Sequence, residues 1–156
     1  MSVDLSIEPA AAGDVPVLVE LWEASVRATH HFLSEADLQY FKQRIASEYF
    51  PQVSLSVARG RMGRVLGFVG VADAKIEMLF VHPDRFGQGV GGMLLQHAIS
   101  QGRATAVDVN EQNTQALVFY QRRGFRVRGR SPEDSTGKPY PLLHLELTPR
   151  GHGFSA

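Results

Sequence analysis

Four glycines within six residues are the strongest sign of chemistry in this chain. They are Gly87, Gly89, Gly91 and Gly92, between a strand-like run and an apolar helical run. A glycine-rich turn at a helix start leaves several backbone N–H groups free, and the helix dipole adds partial positive charge there. A helix cap alone requires fewer glycines. The pattern therefore predicts a phosphate or diphosphate site formed by Gly87, Gln88, Gly89, Val90, Gly91 and Gly92.

Three kinds of phosphate-binding loop compete for this pattern. A Walker loop requires Lys and Ser or Thr after its last glycine, whereas methionine and leucine follow here, which disfavours an ATPase. The spacing of Gly87, Gly89 and Gly92 matches a dinucleotide-binding loop, so a Rossmann domain is the serious rival. Its first glycine should follow the strand directly, but five residues intervene. About sixty residues remain after the loop, too few for the repeated strand-helix units of that fold.

The third kind of loop fits better, because the segment from Leu79 to Gly92 resembles the core motif of the GNAT superfamily of N-acetyltransferases. In that motif a strand end L-x-V-x-P leads into Q/R-x-x-G-x-G/A, which binds the diphosphate of acetyl-CoA. The matching residues are Leu79, Val81 and Pro83 at the strand end, and Gly89 and Gly91 in the loop. One position departs from the motif. Phe86 stands where arginine or glutamine is usual, with Arg85 immediately before it.

A second segment resembles the other GNAT signature, a strand followed by N-x-x-A-x-x-x-Y-x-x-x-G-F. The residues in register are Asn113, Ala116, Tyr120, Gly124 and Phe125. Asn113 and Tyr120 lie about 10 Å apart along one helix face, so both can reach the same ligand. The runs 110–113 and 137–143 further resemble a bacterial branch of acetyltransferases, the YjaB-like proteins.

The resemblance implies an enzyme that transfers the acetyl group of acetyl-CoA directly to a primary amine, either of a small molecule or of a protein. It places the pantetheine arm along the backbone of Leu79, Phe80 and Val81, where an N–H would stabilise the oxyanion. Asn113 and Tyr120 join the cofactor site. Tyr120 also gives a proton to the departing thiolate, since a phenol stays protonated at neutral pH. A non-catalytic acyl-CoA sensor and, less favoured, a dinucleotide-binding protein are the alternatives.

The acceptor amine must lose a proton, so the reaction needs a base. Glu77 is the first candidate, because the superfamily often places a carboxylate there, and Asp108 is the second. A solvated surface carboxylate explains either residue equally well. The adjacent His30 and His31 have no third ligand spaced to join them, so no metal site is expected. In GNAT proteins the junction of the first two helices walls the acceptor pocket, so His30, His31 and Phe32 are predicted to bind the substrate.

Charge and composition limit the partners of the chain. Sixteen basic residues balance sixteen acidic ones, so no general field attracts nucleic acid or an anionic membrane. Cysteine is absent, which excludes disulfides and thiolate metal sites. The first residues lack the basic and apolar regions of a signal peptide, and a cytoplasmic location is therefore predicted. The sequence leaves both a monomer and a homodimer open.

The elements that must position these residues follow the order strand, two helices, three strands, helix, strand, helix, two strands. Apolar periodicity predicts strands at 3–8, 53–57, 65–71, 75–81 and 105–109, helices at 14–29, 34–49, 93–99 and 113–123, and closing strands from 125 and 143. The class is α+β. The GNAT resemblance implies a mixed, mostly antiparallel sheet of six to seven strands, flanked by four helices, with splayed parallel strands forming the acetyl-CoA notch. One domain, 1–148, and a flexible tail, 149–156, are expected.

Overall fold

The computed structural model describes residues 5–149, which divide into two compact units. The first unit ends at Ala104 and the second begins at Thr105. Residues 3 and 4 of the first predicted strand lie outside the described residues, as does the predicted tail after Pro149. The assignment of 1–148 to a single domain stays a prediction.

The first unit contains four strands and three α-helices among its described residues. They are β1 (Ser6–Pro9), α1 (Val15–Thr29), α2 (Glu35–Arg44), β2 (Ser54–Arg59), β3 (Val65–Ala72), β4 (Lys75–Val81) and α3 (Val90–Ser100). The strands pair antiparallel in the order β1–β2–β3–β4. β1 ends at Pro9, one residue beyond the predicted strand, and its position at the edge of the sheet tolerates a residue without an N–H donor.

The second helix runs further than its regular α-helical part. After Arg44 the chain forms a π-helical turn, Ile45–Tyr49, and then a 3₁₀ turn, Phe50–Gln52. Pro51 lies inside this 3₁₀ turn, just beyond the predicted helix end at residue 49. An early position in such a turn needs no N–H from proline, because the first residues of a helix have no intrahelical acceptor.

Helices pack on both faces of the strands in the first unit. On one face, side chains of α1 and α2 form a core with Phe50, Val57 and Phe68. On the other face α3 buries Val90, Leu94, Leu95 and Ala98. The helix approaches closely at Gly67, where a Cβ would lie 2.8 Å from the Phe80 carbonyl oxygen and 2.9 Å from Leu94 Cδ1. Only glycine fits there without a shift of its neighbours, so Gly67 allows α3 to pack closely against β3.

The second unit contains three strands and one helix among its described residues: β5 (Ala106–Asn110), α4 (Thr114–Gln121), β6 (Phe125–Ser131) and β7 (Leu142–Leu147). The strands pair antiparallel in the order β5–β7–β6. α4 packs on β6, with the Tyr120 and Phe125 rings 5.5 Å apart. Across both units, the predicted order of strands and helices is confirmed.

Candidate active site

The glycine loop between β4 and α3 has the backbone that its sequence predicts. Gly87 and Gly89 adopt left-handed conformations, with φ of 77° and 86°, which favour glycine because it has no Cβ. Gly89 is the N-cap of α3 and provides no side-chain cap. A Cβ built at either residue meets nothing within 4 Å. The space over the loop is therefore open to a ligand.

The loop presents an unusual number of free donors. Five backbone N–H groups make no hydrogen bond to any residue within 5–149, and they belong to Gly87, Gly89, Val90, Gly91 and Gly92. Other amides hold the turn together: Arg85 N donates to His82 O at 2.8 Å, and Gln88 N donates to Arg85 O at 3.3 Å. The loop is thus braced from within while its free amides and the α3 dipole favour an anion.

Arg85 supplies a positive charge beside this loop. Its Nε is buried and has no hydrogen-bond partner among the described residues, although Asp84 Oδ1 lies 3.8 Å away. Its Nη1 lies 3.4 Å from Gln88 Oε1. Phe86 occupies the motif position where arginine or glutamine is usual, and its side chain is 44% exposed. The arginine one residue earlier has the partly unused donors that an anion requires, and its position next to the motif was the only signal in the sequence.

β4 carries a bulge at Glu77. Gly70 pairs with Met78 and Val71 pairs with Ile76, which leaves Glu77 as an extra residue between them. Its carboxylate Oε1 lies 3.7 Å from Lys75 Nζ, and its side chain is 34% exposed. Bulges redirect side chains and are frequent near active sites. The predicted base is therefore a solvent-accessible carboxylate at an irregular point of the strand.

His30 lies at the end of α1, against β4. Its ring centroid is 5.2 Å from that of Phe32 and 6.4 Å from that of Phe80. Its Nδ1 is 2.7 Å from Thr29 Oγ1. Burial, and to a smaller extent the charge of His31, lowers the pKa of His30 from 6.5 to about 4. Of the three predicted substrate-binding residues, His30 and Phe32 are partly buried and in contact, whereas His31 is exposed.

In the second unit, Tyr120 is buried and protonated. Its side chain is 6% exposed, and burial raises its pKa well above the ordinary value of 10. Its hydroxyl makes no hydrogen bond to the residues that the structure describes. Asn113 is the N-cap of α4, because its Oδ1 accepts a hydrogen bond from Ala116 N at 3.1 Å. A contact with the cofactor stays a prediction for both residues.

Asp108, the second candidate base, belongs to a polar chain that the sequence did not reveal. Its Oδ1 lies 2.6 Å from His144 Nδ1, and His144 Nε2 lies 2.6 Å from Ser131 Oγ. Asp108 and His144 are direct partners across β5 and β7, although they are 36 residues apart in sequence. No local spacing could have paired them, because the register of the strands brings them together.

Other features of the described residues add little to this site. No group of three or more His, Cys, Asp or Glu side chains within 5–149 is arranged to hold a metal ion. None of the helices in that range is long and apolar enough to cross a membrane. A cavity of about 650 Å³ lies beside β2, β3 and the end of α3, away from the glycine loop. His97 and Asp73 contribute to the lining of this cavity.

Known proteins confirm the class of this chain. Residues 51–127 match the family model described as "Acetyltransferase (GNAT) domain". A curated relative is 43% identical over 128 residues, which is 82% of this chain and 88% of the relative. The chain therefore belongs to the GNAT family and is an N-acetyltransferase. That relative is the peptidyl-lysine N-acetyltransferase YjaB of Salmonella typhimurium.

Solved structures confirm the fold class. The solution structure of apo YjaB from Escherichia coli matches with a TM-score of 0.85 and 39% identity, covering 92% of this chain and 97% of that one. The PaiA N-acetyltransferase of Thermoplasma acidophilum, solved in complex with coenzyme A, matches with a TM-score of 0.72 over 95% of this chain and all of that one, at 18% identity. The predicted α+β GNAT fold and the resemblance to the YjaB branch are both confirmed.

Proposed function

We propose that this enzyme acetylates the ε-amine of lysine residues in a peptide or protein in the cytoplasm, with acetyl-CoA as the donor. The observation that carries the proposal is the open loop, where five backbone N–H groups and Arg85 Nε have no hydrogen-bond partner among the described residues. The lysine acceptor is supported by the name of the relative that is 43% identical to this chain over 128 residues. An exposed carboxylate, Glu77, suits a cationic acceptor.

The residues present fit acetyl-CoA, which supplies an activated acetyl group. In this proposal the diphosphate binds to Gly87, Gln88, Gly89, Val90, Gly91 and Gly92, and the Arg85 guanidinium balances part of its charge. The backbone of Leu79, Phe80 and Val81 holds the pantetheine arm. Asn113 and Tyr120 are proposed to contact the cofactor as well. The glycines at 87 and 89 matter because a side chain there would occupy the open space that the diphosphate needs.

Two groups of the chain move protons in the proposed reaction. Glu77 attracts the lysine ammonium to β4 and takes its first proton, which then passes to solvent. Tyr120 Oη donates its proton to the CoA sulfur as the bond from the acetyl carbon to that sulfur breaks. Burial keeps the phenol protonated until then, and the same dry surroundings also raise the affinity of a thiolate for a proton.

The experiment combines wild-type enzyme, acetyl-CoA and lysine-containing peptides, with acetyl-lysine measured by mass spectrometry and free CoA by a thiol reagent. We expect both products, and neither with a peptide in which arginine replaces lysine. Acetylation of small amines but not of peptides would refute the lysine proposal. Calorimetric binding of acetyl-CoA without acetylation of any amine would indicate the sensor instead.

Tyr120→Phe tests the proposed acid. We expect kcat to fall by about 100-fold to 1,000-fold, because general acid catalysis typically contributes that much. The affinity for acetyl-CoA should stay close to that of the wild type, since burial and ring packing are kept. Tyr49→Phe is the control, because it removes a hydroxyl from a partly buried tyrosine in the π-helical turn after α2. Equal rates for Tyr120→Phe and the wild type would remove the acid from the mechanism.

A further inference from the structure

We propose that His30 Nε2 accepts the second proton of the acceptor nitrogen, and that Thr29 is a positioning residue that fixes the required tautomer of the imidazole. The inference rests on the proposed amine acetylation. It gives His30 a definite chemical role in place of a general contact with the substrate.

The hydrogen bonds around Thr29 determine which ring nitrogen of His30 carries hydrogen. Thr29 Oγ1 lies 2.7 Å from the carbonyl oxygen of Ser25 and 2.7 Å from His30 Nδ1. A carbonyl oxygen only accepts, so the single hydroxyl hydrogen of Thr29 is donated to Ser25. Thr29 Oγ1 can then only accept from His30, which requires hydrogen on Nδ1. In the neutral ring, Nε2 is consequently left with its lone pair.

Among residues 5–149 this lone pair has no hydrogen-bond partner, and it is reachable from solvent. His30 Nε2 makes no hydrogen bond to any described residue. Within residues 5–149, the buried side-chain nitrogen and oxygen atoms that lack a hydrogen-bond partner are Arg85 Nε and Thr148 Oγ1. His30 Nε2 is not one of them, although it also lacks a partner. Nε2 therefore keeps contact with solvent, and a substrate nitrogen can take the place of water there.

The surroundings of the ring keep it neutral and ready to accept a proton. Phe32 and Phe80 provide apolar neighbours, and Phe80 belongs to the β4 segment that the proposed function assigns to the pantetheine arm. With its pKa lowered to about 4, His30 is unprotonated at neutral pH. After burial, the electrostatic interaction with His31 is the second cause of this lowered pKa.

Other charged groups on the neighbouring elements have no part in lowering this pKa. On α1, Arg27 is held by Glu23 and Glu35. α1 also packs against β4 and the turn that follows it, which carry Lys75, Glu77, His82, Asp84 and Arg85. None of these residues is among the causes of the His30 shift.

The number of protons in the reaction requires a second acceptor. A lysine ammonium loses two protons on becoming an amide. Glu77 passes the first to solvent, and His30 Nε2 takes the second as the bond from nitrogen to the acetyl carbon forms. The bond from the acetyl carbon to sulfur breaks, and Tyr120 protonates the sulfur. His30 then releases its proton to solvent and Tyr120 regains one, so each turnover releases one proton in total.

A weak base is adequate for the second proton but not for the first. A free lysine ammonium has a pKa of about 10.4, far above that of His30. The nitrogen becomes much more acidic once it bonds to the acetyl carbon, because it then carries a positive charge next to an electron-withdrawing centre. His30 is thus matched to the second proton, while the exposed Glu77 handles the first by exchange with water.

The first test measures the imidazole itself, without cofactor or substrate. Ring ¹⁵N chemical shifts of the wild-type protein should show hydrogen on Nδ1 of His30 and a pKa of about 4. Thr29→Val, which keeps the shape but removes the hydroxyl, should shift the ring towards hydrogen on Nε2. Hydrogen on Nε2 in the wild type, or an unchanged tautomer in Thr29→Val, would overturn the inference.

The second test is kinetic. His30→Gln should lower kcat by about 100-fold or more, with the dissociation constant for acetyl-CoA unchanged. Thr29→Val should lower kcat several-fold and alter the acid limb of the pH profile, with little change in KM. His97→Gln, at a histidine on α3 outside the proposed site, should behave like the wild type. An active wild type with an equally active His30→Gln would overturn the role of His30 alone, whereas an inactive wild type with the expected tautomer would refute the proposed function.

Discussion

The surroundings of His30 predict that folding stability falls in mild acid. Its pKa is about 4 in the folded chain and close to 6.5 when unfolded. Between these two pH values, His30 is protonated in the unfolded chain but not in the folded chain. The free energy of unfolding therefore decreases as pH falls from about 6.5 towards 4, and the full stability is present above about 6.5. The direction follows from the lowered pKa of a base.

The size of the effect follows from the two pKa values. Integrating the proton difference from pH 7 to pH 5 gives a loss of about 2 kcal/mol from this one group. Stopping at pH 5 limits interference from carboxyl groups. The pKa values of Asp14 and Glu23 are held below their ordinary range by hydrogen bonds from Arg59 and from Lys42, respectively. Those groups lose their contribution only at lower pH.

Urea unfolding at pH 7 and at pH 5 measures this loss, and fluorescence of the single tryptophan reports the transition. Trp22 is 6% exposed and lies on α1, the helix that His30 terminates. Between pH 7 and pH 5, the free energy of unfolding of His30→Gln should therefore fall by about 2 kcal/mol less than that of the wild type. His97→Gln should follow the wild type. Equal losses in the wild type and His30→Gln would refute the reasoning.

Three further substitutions test other parts of the structure. Gly89→Glu should weaken acetyl-CoA binding by about 100-fold or more, because it puts bulk and negative charge where the diphosphate is expected. Gly63→Glu, also at positive φ with nothing within 4 Å, should keep the affinity, and calorimetry showing equal binding by both would reject the loop. Phe86→Arg should tighten acetyl-CoA binding by about fivefold at low salt, because it adds a guanidinium next to Arg85. An affinity that changes neither with the substitution nor with salt concentration would contradict this. Gly67→Ala should lower stability by about 1–3 kcal/mol, because its Cβ would lie 2.8 Å from a backbone oxygen of β4, and an unchanged urea midpoint would show that α3 can move away.

Most of the fold could be predicted because local patterns and tertiary packing agree. Apolar residues alternate in β2 and recur at helical spacing in α1, so each of these segments presents one face to the core, whereas β3 is a short apolar run buried along most of its length. The structure departs from the predicted bounds mainly at Pro9 and Pro51. The strand and the helical segment each extend to include a proline, because a strand edge and the early part of a 3₁₀ turn both tolerate a residue without an N–H.

The chemistry was only partly visible in the sequence. The positive φ values of Gly87 and Gly89 follow from the need for glycine in a tight loop, which spacing reveals. The bulge at Glu77 was hidden, because the sequence of β4 continues without a turn residue. The tautomer of His30 was hidden for another reason, since it depends on a threonine that bonds back to its own helix. Such features depend on the geometry of particular hydrogen bonds, and neither composition nor periodicity encodes that geometry.

The bulge in β4 shows that the strand contains one residue more than its ladder uses. Lys75, Ile76 and Met78 take consecutive partners on β3, so a version of the hairpin without Glu77 could keep every one of these pairs. Such a version would lose only the local twist that a bulge adds. Strand pairing thus does not account for the carboxylate at this place. An inserted acidic residue that the fold does not require is free to be selected for the substrate alone.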